Sequence, residues 1–446
     1  MATKRIPSFD SHNPATGEVA GTYPIMNAKQ VSEIVGHARN ASVQWQKLGF
    51  GGRKRVLLAW STLIIKRIDQ IAALVSLETG KPVGDAKLEV SIAVGHIGWA
   101  ARHAEEIMRT AHRAPGLLLS NMSATVQRSP LGVVGVIGPW NYPIFTPVGS
   151  IVYALAAGNT VVFKPSEYTP GVGMWLEESF NEVTPFADVL TTITGLGETG
   201  GALCTSGVDK ISFTGSTRTA KIVAARCATT MTPVVLECGG KDPVIVAADA
   251  NLERAVDATI WSAMANAGQS CIGAERVYVD ERVADKFTEL AVELAKTIHA
   301  GAPGDGKYGP ATMPSQIKVI QSHIKVAIKD GGSCAYGGPD SVKPPFVQPV
   351  ILLDVPEDSA AMREETFGPI IIINRVKTMR EAIDLANASS YGLGANVWSK
   401  RQGKRIAAEL ACGMVAINST FSFAAVASVP FGGVKESGYG RVHGPE

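Results

Sequence analysis

The 446-residue chain lacks the features that mark several functional classes. Cysteine is scarce: six residues, at 204, 227, 238, 271, 334 and 412, with no CxxC and no histidine pair at metal-ligand spacing. A disulfide framework and a zinc or other metal site are therefore not expected. An excess of one charge is missing too. Lys and Arg number 42 against 40 Asp and Glu, and the net +2 is scattered rather than blocked. Neither a nucleic-acid patch nor a membrane anchor follows from that pattern. The basic N-terminus, MATKRIPSFD, precedes no apolar run long enough for a signal peptide or a membrane span. What remains is the expectation of a cytoplasmic protein acting on small molecules, long enough for two or three domains of roughly 150 residues each.

What is present changes character along the chain. Residues 29–48 carry Val31, Ile34, Val35 and Ala38 at helical spacing. The pattern continues over 53–79 through Leu57, Ile64, Ile65, Ile68 and Ile71, with Gly80 placed to end a helix, and a further helix is expected over 85–112. Weak alternation at 122–130 suggests an exposed ribbon. From 131 short apolar runs alternate with helical segments: LGVVGVIGP, NTVVFKP, DVLTTITG, KISFTGS and PVVLECGG. This is the grammar of parallel βαβ units, expected to form a doubly wound domain. A second α/β set runs from 243 to about 418 (DPVIVA, ERVYV, PVILLDV, PIIIINRV, GLGANVWS, GMVAIN).

Several strand ends carry candidate chemistry. GLGETG, Gly195 to Gly200, is a literal dinucleotide fingerprint, but no acid ends the next strand, and a tight structural turn explains the glycines equally well. FTGSTRTA offers Gly215 and Ser216 at the opening of a helix, where backbone N–H groups receive anions. Lys164 and Glu167 in FKPSE would hold ribose hydroxyls, or else cap a helix. In GPWNYP, prolines on both sides fix Asn141, as an oxyanion donor or as a turn residue. Glu237 in LECGG sits in an apolar setting that suits a general base or an ion-paired structural acid. Cys271 in NAGQSCIGAERV follows the end of an amphipathic helix, with no histidine within 25 positions. Its activation is expected from the helix end, neighbouring N–H groups and Glu237, with Gly268 and Gly273 making room for ligands.

The ordered stretches PWNYP, FKPSE, FTGST, LECGGKDP, GQSCIGAERV, EETFGPI and PFGGVKESGYGR resemble the NAD(P)-dependent aldehyde dehydrogenase superfamily, from Asn13 to Arg441. The resemblance implies a Rossmann-like nucleotide domain (1–113 and 131–238), an α/β catalytic domain (239–416) and a small β-ribbon bridging element (114–130 and 417–446). It makes Cys271 the nucleophile, Asn141 the oxyanion donor and Glu237 the base that hydrolyses a thioester. It assigns Trp140, Lys164, Ser166, Glu167, Gly215, Ser216, Glu365 and Phe367 to the dinucleotide, and it turns GLGETG into a structural turn. Glu167 is expected to repel a 2′-phosphate, favouring NAD over NADP.

The segment NSTFSFAAVASVP has Phe421 and Phe423 but no cation. With Phe145, these are expected to line an apolar tunnel, so that an apolar or aromatic aldehyde fits better than an acid semialdehyde. Cys238 and Ala220 depart from the family pattern. The chain stops at Glu446, before the strand with which members of the family pair subunits, so a homodimer or homotetramer is expected in weakened form. Rival expectations are a CoA-acylating dehydrogenase, a catalytically silent relative and a cysteine hydrolase; Glu237, the intact Cys271–Glu237–Asn141 set and the missing Cys–His arrangement argue against each in turn.

Overall fold

The computed structural model describes residues 7–446. The chain opens with a hairpin, β1 (Ser8–His12) and β2 (Val19–Pro24), around NPATGEV. Four helices follow: α1 (Ala28–Lys47), α2 (Gly49–Lys66), α3 (Ile68–Thr79) and α4 (Val83–Met108). A capping box between Asn27 and Gln30 starts α1, and Gly80, left-handed at φ 75°, stops α3. The single helix expected over 53–79 is divided at Arg67, whose φ/ψ of −109°/21° leaves the helical region. The guanidinium of Arg67 grips Glu182 with bonds of 2.6 and 2.9 Å. Apolar spacing runs through the break unchanged because both helices bury the same face, so periodicity gave no sign of it.

A two-stranded ribbon, β3 (Ala111–Arg113) with β4 (Ala124–Val126), leads into the first large sheet. Its members are β5 (Val133–Ile137), β6 (Thr160–Lys164), β7 (Leu190–Thr192), β8 (Lys210–Thr214) and β9 (Val234–Glu237), in the order β9-β8-β5-β6-β7, all parallel. Between them run α5 (Phe145–Ala157), α6 (Pro170–Asn181), α7 (Gly197–Cys204) and α8 (Thr217–Ala228). Helices cover both faces, which is why TVVFK is buried throughout and reads as a continuous run rather than an alternation.

The second sheet holds β10 (Pro243–Val246), β11 (Arg276–Asp280), β12 (Ser333–Tyr336), β15 (Val350–Leu353), β16 (Ile370–Val376), β17 (Gly394–Trp398) and β18 (Met414–Ile417). Their order is β12-β15-β16-β11-β10-β17-β18, parallel except for the edge strand β12. A small hairpin of β13 (Val342–Lys343) and β14 (Phe346–Val347) lies outside it. The polar strand β12, SCAY, escaped the sequence reading because an antiparallel edge needs no continuous apolar run.

Within residues 417–446, assigned above to the bridging element, the chain reaches the edge of the first sheet. There β19 (Gly438–Tyr439) pairs antiparallel with β9, and Phe431 and Val442 exchange backbone bonds of 2.7 and 2.9 Å. The chain's last residues are thereby brought over the end of β9, where Glu237 lies.

Candidate active site

The cysteine of interest is positioned by an unusual turn. Helix α9 (Leu252–Met264) is capped by Asn251 and ends before Asn266, Ala267 and Gly268, which are left-handed in succession at φ 53°, 58° and 69°. Two of the three carry side chains, a strained arrangement that neighbours must hold in place. Amide side chains do so. Asn266 Nδ2 donates to Asn141 O (2.9 Å) and Gln269 O (3.2 Å), and Gln269 Nε2 donates to Asn266 O (2.9 Å). Gln269 Oε1 in turn accepts from Thr312 N at 2.8 Å. Gly268 serves this turn rather than a ligand, because a Cβ there would run into the backbone of Gly368. Gly273 is likewise packed on the carbonyl of Ser270, 3.1 Å from where a Cβ would stand.

Asn141 is drawn into the same network. Its Nδ2 donates to Gln269 O at 2.9 Å, which leaves one amide proton free. Its carbonyl accepts from Lys81 Nζ at 2.7 Å, and Lys81 also donates to Glu89 at 2.7 Å. Glu89 closes the circuit by accepting from the N–H groups of Ile144 and Phe145. The rigidity expected from flanking prolines thus has a second source, a buried ion pair that sequence reasoning missed. Asn141 itself is buried behind Tyr142, over whose ring Lys81 Nζ lies at 4.3 Å.

Glu237, at the end of β9, is 3% exposed and neither carboxylate oxygen has a partner. Burial pushes its pKa well above the usual carboxylate range, with Arg441 opposing. Cys271 is pushed up too, first by burial and then by Glu365, Asp242 and Glu237. The helix preceding it presents its C-terminus, the negative end of the dipole, so the help expected from a helix end is absent. Gly239 and Gly240 let these groups crowd together: a Cβ on Gly239 would overlap the Glu365 carboxylate, and one on Gly240 would stand 2.6 Å from Cys271 O.

Cys271 and Glu237 open into one cavity of about 360 Å³, whose walls include Leu88, Phe145, Trp261 and Phe421. Phe421 meets Trp261 edge-on at 5.0 Å. Phe423 is not on the wall. It is buried in the core behind it, 6.4 Å from Phe431. Phe421, left-handed at φ 55°, precedes a one-turn helix over Ser422–Ala425, and Phe423 on that helix turns into the core. Trp261 and Phe431 on the wall were missed because nothing in α9 or PFGG marks them apart from ordinary core residues. Cys238 reaches the cavity as well, its thiol raised to about 12 by burial and by Glu237.

The remaining candidates gather at the strand ends of the first sheet. Lys164 is buried and donates to Pro165 O at 2.9 Å, leaving two ammonium protons for other acceptors. Ser166 Oγ and Glu167 are 3.4 Å apart, and Glu167 is half-buried. Gly215 precedes Ser216, which caps α8 by accepting from Thr219 N at 3.3 Å. Trp140 stands edge-on between Tyr168 (6.4 Å) and Phe367 (5.5 Å), linking the first sheet to the EETFG loop of the second. In that loop Glu365 accepts from Gly240 N at 3.1 Å and is raised to about 8 by burial and Glu275. Phe367, left-handed at φ 50°, donates its N–H to Glu275, which pairs with Lys241. Gly195 of GLGETG, at φ 148°, is packed on Thr199 as a turn.

A buried ammonium with free protons, a helix opening on Gly-Ser and a half-buried carboxylate fit a dinucleotide. A family model described as the aldehyde dehydrogenase family matches residues 2–446. The chain is 38% identical over 435 residues to glutarate-semialdehyde dehydrogenase of Pseudomonas putida, covering 96% of this chain and 89% of that one. It is 34% identical over 444 residues to the NADP(+) succinate-semialdehyde dehydrogenase of Escherichia coli, covering 97% and 90%. Lactaldehyde dehydrogenase from Escherichia coli matches in structure with a TM-score of 0.94 at 30% identity, covering 99% of this chain and 93% of the other.

Proposed function

This chain belongs to the aldehyde dehydrogenase family, and from that premise we propose that it oxidises neutral apolar or aromatic aldehydes on Cys271, with NAD as preferred acceptor. The family's reaction, aldehyde to carboxylic acid with reduction of NAD(P), accounts for a thiol and a carboxylate facing one cavity beside a dinucleotide-type sheet. The Cys271 thiol proton passes to Glu237 and on to solvent, Sγ attacks the carbonyl carbon, and the free amide proton of Asn141 with the Cys271 N–H receives the oxyanion. Lys164, Ser166, Glu167, Gly215, Ser216, Trp140, Glu365 and Phe367 would hold the dinucleotide, which when bound supplies a hydride acceptor. The acyl group is left on sulfur as a thioester. Glu237 takes a proton from water, water attacks the acyl carbon, and the thiolate leaves; sulfur serves because it is both a good nucleophile and a good leaving group.

The observation that carries the substrate reading is the cavity wall. Its one lysine, Lys81, is committed to Glu89 and Asn141, and the other charged groups there are the carboxylates Asp85, Glu89 and Glu237. A substrate carboxylate would meet no free cation on this wall. Hexanal and benzaldehyde are expected to give higher kcat/KM than succinic semialdehyde; the reverse order overturns the reading.

The NAD preference rests on Glu167, whose charge opposes a 2′-phosphate. Glu167→Gln is expected to raise kcat/KM with NADP relative to NAD, and an unchanged ratio contradicts it. No helix among the described residues is long and apolar enough to cross a membrane. A cytoplasmic homodimer or homotetramer is proposed, supported by Leu117 and Leu118 at the ribbon, 90% and 96% exposed. Sedimentation showing a monomer would count against it.

A further inference from the structure

Lys81, Asp85, Glu89 and Glu237 are the charged side chains on the cavity wall, and all but one have a partner or a part in the reaction. Lys81 and Glu89 hold each other at 2.7 Å, and Glu89 also accepts from Ile144 N and Phe145 N. Glu237 is the base of the proposed hydrolysis. Asp85 is left over. Among the described residues nothing donates to its carboxylate, and its half-buried oxygens are not enclosed.

Helical spacing aims this carboxylate at the cavity. Asp85, Leu88, Glu89 and Ile92 of α4 all line it, a stripe at i, i+3, i+4 and i+7. Asp85 stands in the first turn of α4, four residues beyond Lys81 and four before Glu89. Its charge reaches the hydroxyl of Tyr142 on the same wall, which burial raises first and Glu89 and Asp85 raise further. Leu88, one turn on, is half exposed, which puts this stretch of wall at the cavity's opening. A substrate with its carbonyl at Cys271 would present its far end here.

Resting on the aldehyde-oxidation reading above, we propose that Asp85 is a specificity-determining residue that accepts a hydrogen bond from a hydroxyl at the far end of the substrate, so that the favoured substrates are neutral aldehydes bearing a hydroxyl remote from the carbonyl. An ionised carboxylate is purely an acceptor, and its bonds to hydroxyl donors are of the stronger, charge-assisted kind. Burial raises the pKa of Asp85 against the opposing charge of Lys81, so the corner is poorly hydrated. A hydroxyl gives up less solvation on entering such a corner than an ammonium does. Leu88, Ile92 and Trp261 supply apolar contact for the body of the substrate.

The test compares kcat/KM within pairs that exchange a hydroxyl for a methyl: 4-(hydroxymethyl)benzaldehyde with 4-ethylbenzaldehyde, 3-(hydroxymethyl)benzaldehyde with 3-ethylbenzaldehyde, and 8-hydroxyoctanal with nonanal. Ratios within a pair cancel any common loss of activity. Wild type is expected to favour the hydroxyl member of at least one pair by about tenfold, the scale of one hydrogen bond to a carboxylate. Asp85→Leu is expected to collapse that ratio towards one, mainly through KM. Asp85→Asn keeps a carbonyl acceptor in place and is expected to retain part of it. Equal ratios in wild type and Asp85→Leu, or no hydroxyl preference in wild type, overturn the proposal and leave Asp85 as a solvated acid complementing the helix N-terminus. Should Asp85→Leu fail to fold by thermal unfolding, a smaller ratio in Asp85→Asn than in wild type supports the assignment and an equal one overturns it. A larger, Asp85-dependent preference for the cationic 4-(dimethylaminomethyl)benzaldehyde overturns this assignment together with the neutral-substrate reading. A wild type that oxidises both members of every pair equally sinks only this assignment, whereas one that oxidises no aldehyde with either dinucleotide sinks the parent reading.

Discussion

Cys271, the proposed nucleophile, lies in a site that by itself holds on to the thiol proton. Burial and three carboxylates raise the thiol, and no cation or helix N-terminus offsets them. Alkylation of Cys271 by iodoacetamide is therefore expected to be slow at about pH 7 and still accelerating above about pH 9; a plateau below pH 8 contradicts this account. Glu237 shares the cavity and is raised for the same reason, so acid release should rise with pH as it ionises. Glu237→Gln is expected to yield a burst of about one NADH per site and then little turnover, because the thioester forms but water is not activated. Undiminished steady-state turnover would remove Glu237 from the hydrolytic step. Both residues were legible in the sequence, since each sits in a short ordered motif. Lys81 was not. Its role comes from pairing with Glu89 of α4 and from Asn141 O of the PWNYP turn, sixty residues on, and it looks unremarkable among its own neighbours.

Between residues and the whole lie the elements that hold the site. The turn after α9 keeps Asn266 and Ala267 in the left-handed region by means of the side-chain amides of Asn141, Asn266 and Gln269. Lys81, just beyond Gly80, is the anchor from α3 to that turn. Lys81→Met would strand Glu89 as a buried, unpaired charge, at a cost typically about 3–5 kcal/mol. Chemical denaturation should show that loss, and Lys81→Met with Glu89→Gln should recover part of it; a single variant as stable as wild type refutes the role. Strand positions were readable because parallel strands buried on both faces are continuous apolar runs. The break at Arg67 and the polar edge strand β12 were not, because neither changes the apolar period that the sequence displays.

At the scale of the molecule, the two sheets face a common cavity, and the chain's return over β9 completes its wall. Buried carboxyls are concentrated there and beneath the helical layer: Glu78 and Asp242 are raised to about 7, and Glu365 to about 8, each chiefly by burial. A carboxyl with a raised pKa binds its proton more tightly folded than unfolded, so stability falls as pH rises towards the folded value. The lowered histidines act oppositely, but only below their ordinary 6.5. Between about pH 6.5 and 8 these carboxyls lose their contribution, and Tm is expected to fall. Asp242→Asn, which keeps the Oδ1 that accepts from Gly394 N, should flatten that decline; an unchanged slope contradicts the assignment.

The central claim is that aldehyde oxidation runs through a covalent bond to Cys271. Its most direct measurement is NADH formation from benzaldehyde and hexanal by wild type and Cys271→Ala, with the acylated peptide sought by mass spectrometry in Glu237→Gln. The account predicts NADH from wild type, none from Cys271→Ala, and an acyl adduct on Cys271 in Glu237→Gln. NADH formation persisting in Cys271→Ala would contradict it.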